Sequence, residues 1–151
     1  MNPVRYQRGV AAVEAALAIA LTMVLLPLLL YMGRLTWHAI VLHKAAYEAA
    51  LIVSGLPETV FTSPGTAAVL DGIASSHVAQ AVADAGIDIQ PGAGVTRVSC
   101  DGLVCAFAKP AQINVATGIT FDASFMGLED GGPFGATAVT LGATYTVNYA
   151  P

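Results

Sequence analysis

Residues 9–34 read GVAAVEAALAIALTMVLLPLLLYMGR. Between Glu14 and Arg34 there is no charge, so Ala15 to Gly33 forms an uninterrupted run of 19 mostly apolar residues. As a helix it would extend roughly 28 Å at about 1.5 Å per residue, close to the thickness of a bilayer's hydrocarbon core. The apolar region of a cleaved secretory signal is shorter, on the order of 7–15 residues, and ends in a small-residue exit. The run therefore predicts a retained membrane span. Pro27 lies inside it and is expected to loosen or kink the helix, because it removes one backbone donor.

The charges on either side of this run give it a direction. Arg5 and Arg8 precede it, with no acid before Glu14, which places the N-terminus in the cytoplasm by the positive-inside rule. Beyond Arg34 only Lys44, Arg97 and Lys109 are basic, against nine acids, a net charge of −6 with histidine neutral. Such a surface suits neither nucleic acid nor anionic lipid. Over the whole chain, 56% of residues are hydrophobic and only 11% charged, with a mean hydropathy of +0.68. At 151 residues there is room for one domain and an appendage.

Helical sequence continues past the span from Val10 to about Val53, where Ser54-Gly55-Leu56-Pro57 should stop it. Those residues would make a rod of roughly 66 Å, about twice the bilayer core, so the second half stands outside lipid. That half is alanine-rich with Arg34, His38, Lys44 and Glu48 interspersed, as in a helix covered on one side by other protein. Ser63-Pro64 reads as an N-cap followed by proline at the first helical position. Leu70, Ile73, Ala74, His77, Val78, Ala81 and Ala85 then recur at helical spacing, and Gly86 supplies a stop.

After Gln90-Pro91-Gly92-Ala93-Gly94 the period falls to two. Val95–Cys100 and Val104–Lys109 read as strands of a hairpin turning at Asp101-Gly102. Ile113, Val115, Ile119, Phe121 and Phe125 alternate along a third strand, with Gly118 marking a bulge. Val139, Leu141, Ala143, Tyr145, Val147 and Tyr149 alternate along a fourth, and a loop with four glycines, Gly127 to Gly135, joins the two. The expected class is α+β: a long N-terminal transmembrane helix carrying one helix packed on an antiparallel sheet of about four strands. The expected division is 1–9 as a leader, 10–54 as the N-terminal helix, and 55–151 as the exported domain.

Cys100 and Cys105 both fall in the exported part, where an oxidising compartment favours a disulfide across the hairpin over a zinc site. His38 and His43 are five apart on one helix and share no face, so no metal is expected there. Ser75 and Ser76 beside His77 lack a nucleophile elbow, and Glu129-Asp130 lack the alternating acids of a calcium loop. His77 reads as a core or edge histidine. No catalytic residue and no cofactor is expected, and the chain is not expected to be an enzyme.

The junction Arg8-Gly9-Val10-Ala11-Ala12-Val13-Glu14 sets a small residue before an apolar helix with an acid five positions on. Further along come Gly33-Arg34 and Ala45-Ala46-Tyr47-Glu48-Ala49-Ala50. In order and spacing these resemble type IV prepilins, and more narrowly the TadE-like minor pilins of tight-adherence pili, over roughly residues 5–51. Family members often carry Phe after the acid and an aromatic beside the Gly-Arg pair; here Ala15 and Met32 stand in those places. TadF-like minor pilins have a similar length. The resemblance implies a pilin-like fold and cleavage between Gly9 and Val10 by a prepilin peptidase. It also implies that Glu14 guides the subunit into a filament built with other pilins on an inner-membrane assembly platform. It would place the precursor in the bacterial inner membrane, single-pass, with its C-terminal domain periplasmic and then extracellular in the assembled pilus. Against this, Glu14 could be an interfacial acid of an uncleaved, signal-anchored periplasmic protein, since a carboxylate beside a span is a functional candidate by default but not by necessity. A third reading is a pilus-tip adhesin that binds through the loops Gly86–Gly94 and Gly127–Gly135.

Overall fold

The structure, a computed structural model, describes residues 4–87, 95–106, 108–122 and 138–150. Its elements are three helices, α1 (Val4–Ser54), α2 (Glu58–Phe61) and α3 (Thr66–Asp84), followed by four strands. The strands are β1 (Arg97–Cys100), β2 (Leu103–Val104), β3 (Gln112–Asp122) and β4 (Ala138–Asn148). They form one sheet in the order β2-β1-β3-β4, antiparallel throughout. The α+β class and the four antiparallel strands are as the sequence indicates. The chain divides into two compact units, Met1–Thr36 and Trp37–Pro151.

The first unit is the leading part of α1. Nothing between Val4 and Gly9 breaks a helix, and one interior glycine costs only about 1 kcal/mol, so α1 begins at Val4 and not at the expected Val10. Pro27 lies within the helix without ending it. The helix is long and apolar enough to cross a membrane, and its most apolar stretch is 0% buried.

The second unit opens with the rest of α1, which contributes Leu42, Ala45, Ala46, Ala49, Ala50 and Val53 to the core. The four alanines recur at positions that share one face. Their short side chains let neighbouring elements approach the helix closely, which is why a run without bulk can be fully buried. Ser54 ends the helix, with Gly55 N–H bonded to the Leu51 carbonyl at 3.1 Å. Pro57, at φ −64°, then precedes α2, a single turn that buries Phe61 edge-on to Tyr149 at 5.2 Å between ring centroids. The Tyr149 hydroxyl donates to the Leu56 carbonyl at 3.0 Å, fastening this turn to the end of the chain.

α3 starts two residues later than Ser63-Pro64 suggests. Ser63 does not cap it: the N-cap is Gly65 at φ +82°, and the Ser63 hydroxyl donates back to the Thr59 carbonyl. The Thr66 hydroxyl instead bridges to the carbonyls of Val60 and Ser63, so the α2–α3 turn is closed by these bonds within the turn in place of a Ser63 cap. Leu70, Ala74, Val78 and Val82 form the buried stripe of α3 at i, i+4 spacing. Its end has the six-to-one closure of a glycine stop: Ile87 N–H bonds the Val82 carbonyl, Gly86 N–H bonds the Ala83 carbonyl, and Gly86 has φ +70°.

In the sheet, Ile113, Val115 and Ile119 of β3 and Ala143 of β4 face the core. The β3–β4 register runs unbroken from Gln112↔Asn148 to Asp122↔Ala138, with Gly118 opposite Gly142. The expected bulge at Gly118 is therefore absent. A Cβ at Gly118 would come within 3.0 Å of a Val95 methyl and 3.2 Å of the Leu141 carbonyl oxygen, so the glycine admits close approach and not an extra residue. Beside it, the buried hydroxyls of Thr96 and Thr117 share a hydrogen bond of 2.8 Å. The strand expected from Val104 to Lys109 ends at Val104, and the one expected from Val95 begins at Arg97. Phe125, the loop Gly127–Gly135 and the turn Gln90–Gly94 lie outside the described residues.

Candidate functional site

Three places in the chain carry residues that chemistry or recognition could use. The first is the leader–span junction. Gly9 is helical, and a Cβ added to it would meet no atom within 4 Å. Neither packing nor backbone conformation requires glycine there, and glycine costs helix stability relative to alanine. Val10 and Leu17, four positions before and three after Glu14 and so on its face of the helix, are both exposed. Glu14 has no hydrogen bond or ion pair among the described residues.

The second is the β1–β2 hairpin. Asp101 and Gly102 both have positive φ, at 53° and 80°, the conformation a two-residue primed turn requires. Cys100 and Cys105 are joined by a disulfide around this turn, with Cα atoms 4.8 Å apart, and there is no free cysteine. The Asp101 carboxylate has a further role that sequence reasoning missed. It accepts hydrogen bonds from Ala111 N–H at 3.1 Å and Gln112 N–H at 2.8 Å, tying the turn to the start of β3. Asp71 does the same between α3 and the sheet, accepting from Val98 N–H at 2.7 Å. A short-range reading has no signal for either bond, because the partners are 10 to 27 residues apart.

The third is a groove of about 560 Å³ between the second half of α1 and α3. Trp37, Ile40, Lys44 and Glu48 border it from α1, and His77 and Asp84 from α3. Trp37 is 55% and Ile40 58% exposed, so the upper part of α1's groove face is apolar and open. Further along, the Glu48 carboxylate lies 3.7 Å from Lys44 Nζ and 3.4 Å from His77 Nε2. That ring nitrogen is shielded from solvent, and its approach to Glu48 lies outside hydrogen-bond geometry. His77 is thus an edge histidine beside an acid. The sequence signal for the groove is Trp37 itself, the only tryptophan, four positions after the charge-free run.

The other histidines do not converge: His38 is buried and His43 exposed on the same helix. Among the described residues no group of three or more histidine, cysteine or acidic side chains could hold a metal ion. No protein-family model, no curated protein and no solved structure matches this chain.

Proposed function

We propose that the chain is a minor pilin of the tight-adherence type, inserted in the bacterial inner membrane as a precursor, trimmed after Gly9 and assembled into a pilus. The observation that carries this reading is Gly9 itself. It lies inside a continuous helix at a point where neither packing nor backbone conformation needs glycine, directly before an apolar segment with one acid at its fifth position. A residue without a structural reason, next to a basic leader, is accounted for by a peptidase that must fit a small side chain. The exposed apolar helix supports the reading further: such a surface is covered by lipid before assembly and by other helices after it. The role proposed is structural, with no reaction assigned to the chain, and its partners are the prepilin peptidase, other pilin subunits and the assembly platform.

In this mechanism cleavage frees an amine on Val10, one helical turn from Glu14. In a filament, the Glu14 of one subunit meets the amine of a neighbour in a water-poor core. A buried charge without its partner is costly, so subunits settle in the register that neutralises both. The test is the intact mass of the protein from cells with and without the peptidase. Loss of residues 1–9 only when the peptidase is present supports the proposal; a mature chain beginning at Met1 in both overturns it.

A further inference from the structure

The two edges of the sheet are unlike. Among the described residues β4 shares backbone hydrogen bonds with β3 alone, so one edge of an eleven-residue strand is unpaired. Sheets usually guard such an edge with a charge, a proline, a bulge or shortness. β4 has none of these: Ala138–Asn148 contains no charged residue and no proline, and its register with β3 is unbroken. The opposite edge, β2, is only two residues long. Those two, Leu103 and Val104, are 74% and 72% exposed, the most open large apolar side chains described in the second unit. The turn before them is held firmly: the Cys100–Cys105 bond closes it, and the Asp101 carboxylate ties it to Ala111 and Gln112.

Strand direction makes these two edges complementary. Each strand is antiparallel to its neighbour, so in the order β2-β1-β3-β4 the outermost strands run in opposite directions. A second copy moved sideways, turned only by the twist of the sheet, therefore brings its β2 antiparallel to β4 of the first. The faces agree as well. Leu103 lies opposite Cys100, Cys100 opposite Ile113 and Ile113 opposite Val147, all on the core side. Val104, Ser99, Asn114 and Thr146 are level in the same way on the outer side. Carried across, Leu103 meets Val147 or its core-side neighbour Tyr145, Val104 meets Thr146 or Thr144, and no charge faces a charge. A two-fold pairing of β4 with β4 would leave Leu103 and Val104 of both copies uncovered.

We propose that a second copy of this chain extends the sheet, β2 of one copy adding to the β4 edge of the next. The contact joins two different surfaces, so it repeats into an open row and does not close as a two-fold dimer. Two paired residues bury far less than the roughly 1,000 Å² of a stable free complex, so the contact between free copies is brief and is read by trapping it. The proposal does not depend on cleavage or on the pilus reading.

The test uses the full chain, purified in detergent as two batches with different affinity tags. One batch carries Val104→Cys, the other Thr146→Cys or Thr144→Cys. All three positions are exposed, so the fold should tolerate each change. Directly opposed residues bring Cβ atoms to about 4.5–5.5 Å, close enough for oxidative coupling. Mixed and oxidised, the two batches should give a product carrying both tags, while neither batch alone should couple. Tyr145→Cys or Val147→Cys in place of the threonine variants should give about fivefold less product or lower, because those side chains face the core side. Adding Leu103→Lys to the Val104→Cys chain charges the edge and should remove most of the product. Absence of a product carrying both tags overturns the proposal, as does equal coupling at 144, 145, 146 and 147. Coupling within the Val104→Cys batch alone, at the level of the mixture, also overturns it, since that reports a two-fold contact or exchange with the Cys100–Cys105 bond.

Discussion

Replacing Gly9 separates folding from processing, because the structure gives opposite expectations for the two. Gly9 lies within α1, and a side chain there would project into open space, with no atom within 4 Å of its Cβ. Glycine inside a helix is less stable than alanine by roughly 0.5–1 kcal/mol, so Gly9→Ala should favour the local helix by about 2–5-fold. Gly9→Leu should do nearly as well, since leucine is close to alanine in propensity and meets no clash. Neither change should lower membrane insertion, for both make the entry to the span more apolar. If a peptidase must seat residue 9, however, Gly9→Leu should accumulate at full length, with residues 1–9 attached. Gly9→Ala should be cut more slowly than the natural chain and faster than Gly9→Leu. The assay is intact mass of the membrane fraction after alkaline extraction, taken at intervals after a pulse of expression. Normal trimming of Gly9→Leu would refute the reasoning. Loss of that variant from the membrane fraction would refute the claim that glycine has no structural role at this position.

Glu14→Ala should insert and be trimmed as the natural chain is, yet be missing from sheared filaments or fail to support them; wild-type pilus numbers would end the pairing mechanism. Replacing Cys100 and Cys105 together by serine should lower unfolding stability by about 2 kcal/mol, the entropy of closing a six-residue loop, as read by denaturant melts with and without reductant. Asp71→Ala leaves the Val98 N–H without its charged acceptor and should cost about 1.5–3 kcal/mol in the same melts. The facing glycines of β3 and β4 should respond unequally. Gly118→Val meets Val95 and the Leu141 carbonyl and should destabilise by about 1–3 kcal/mol. Gly142→Ala, whose nearest non-local atom is 3.9 Å away, should be tolerated; equal effects would show that the close approach at Gly118 is not what requires glycine.

The features legible in the sequence are those whose cause lies within a few residues. An uncharged run long enough to span a bilayer is visible as composition alone. Asp101-Gly102 is a turn because those two residue types tolerate positive φ, and Cys100 and Cys105 flank that turn closely enough to be joined. Gly86 ends α3 by the same backbone logic. Alternation along β3 and β4 is readable too, since the period of a strand is two and one face is buried.

The features that are not legible there depend on what arrives from elsewhere in the chain. Gly118 has the look of a bulge, yet its requirement comes from Val95 and Leu141, which only strand pairing brings to it. The alanines around Glu48 read as a weakly polar helix face; packing puts four of them fully inside the core. Likewise Asp71, Asp101 and the groove at Trp37 gain their partners across loops of many residues. Propensity and periodicity are sums over neighbours in sequence, so they determine where a helix or a turn can form. Burial, close approach and charge pairing are properties of neighbours in space, and those exist only once the second half of α1, α3 and the sheet have closed on one another.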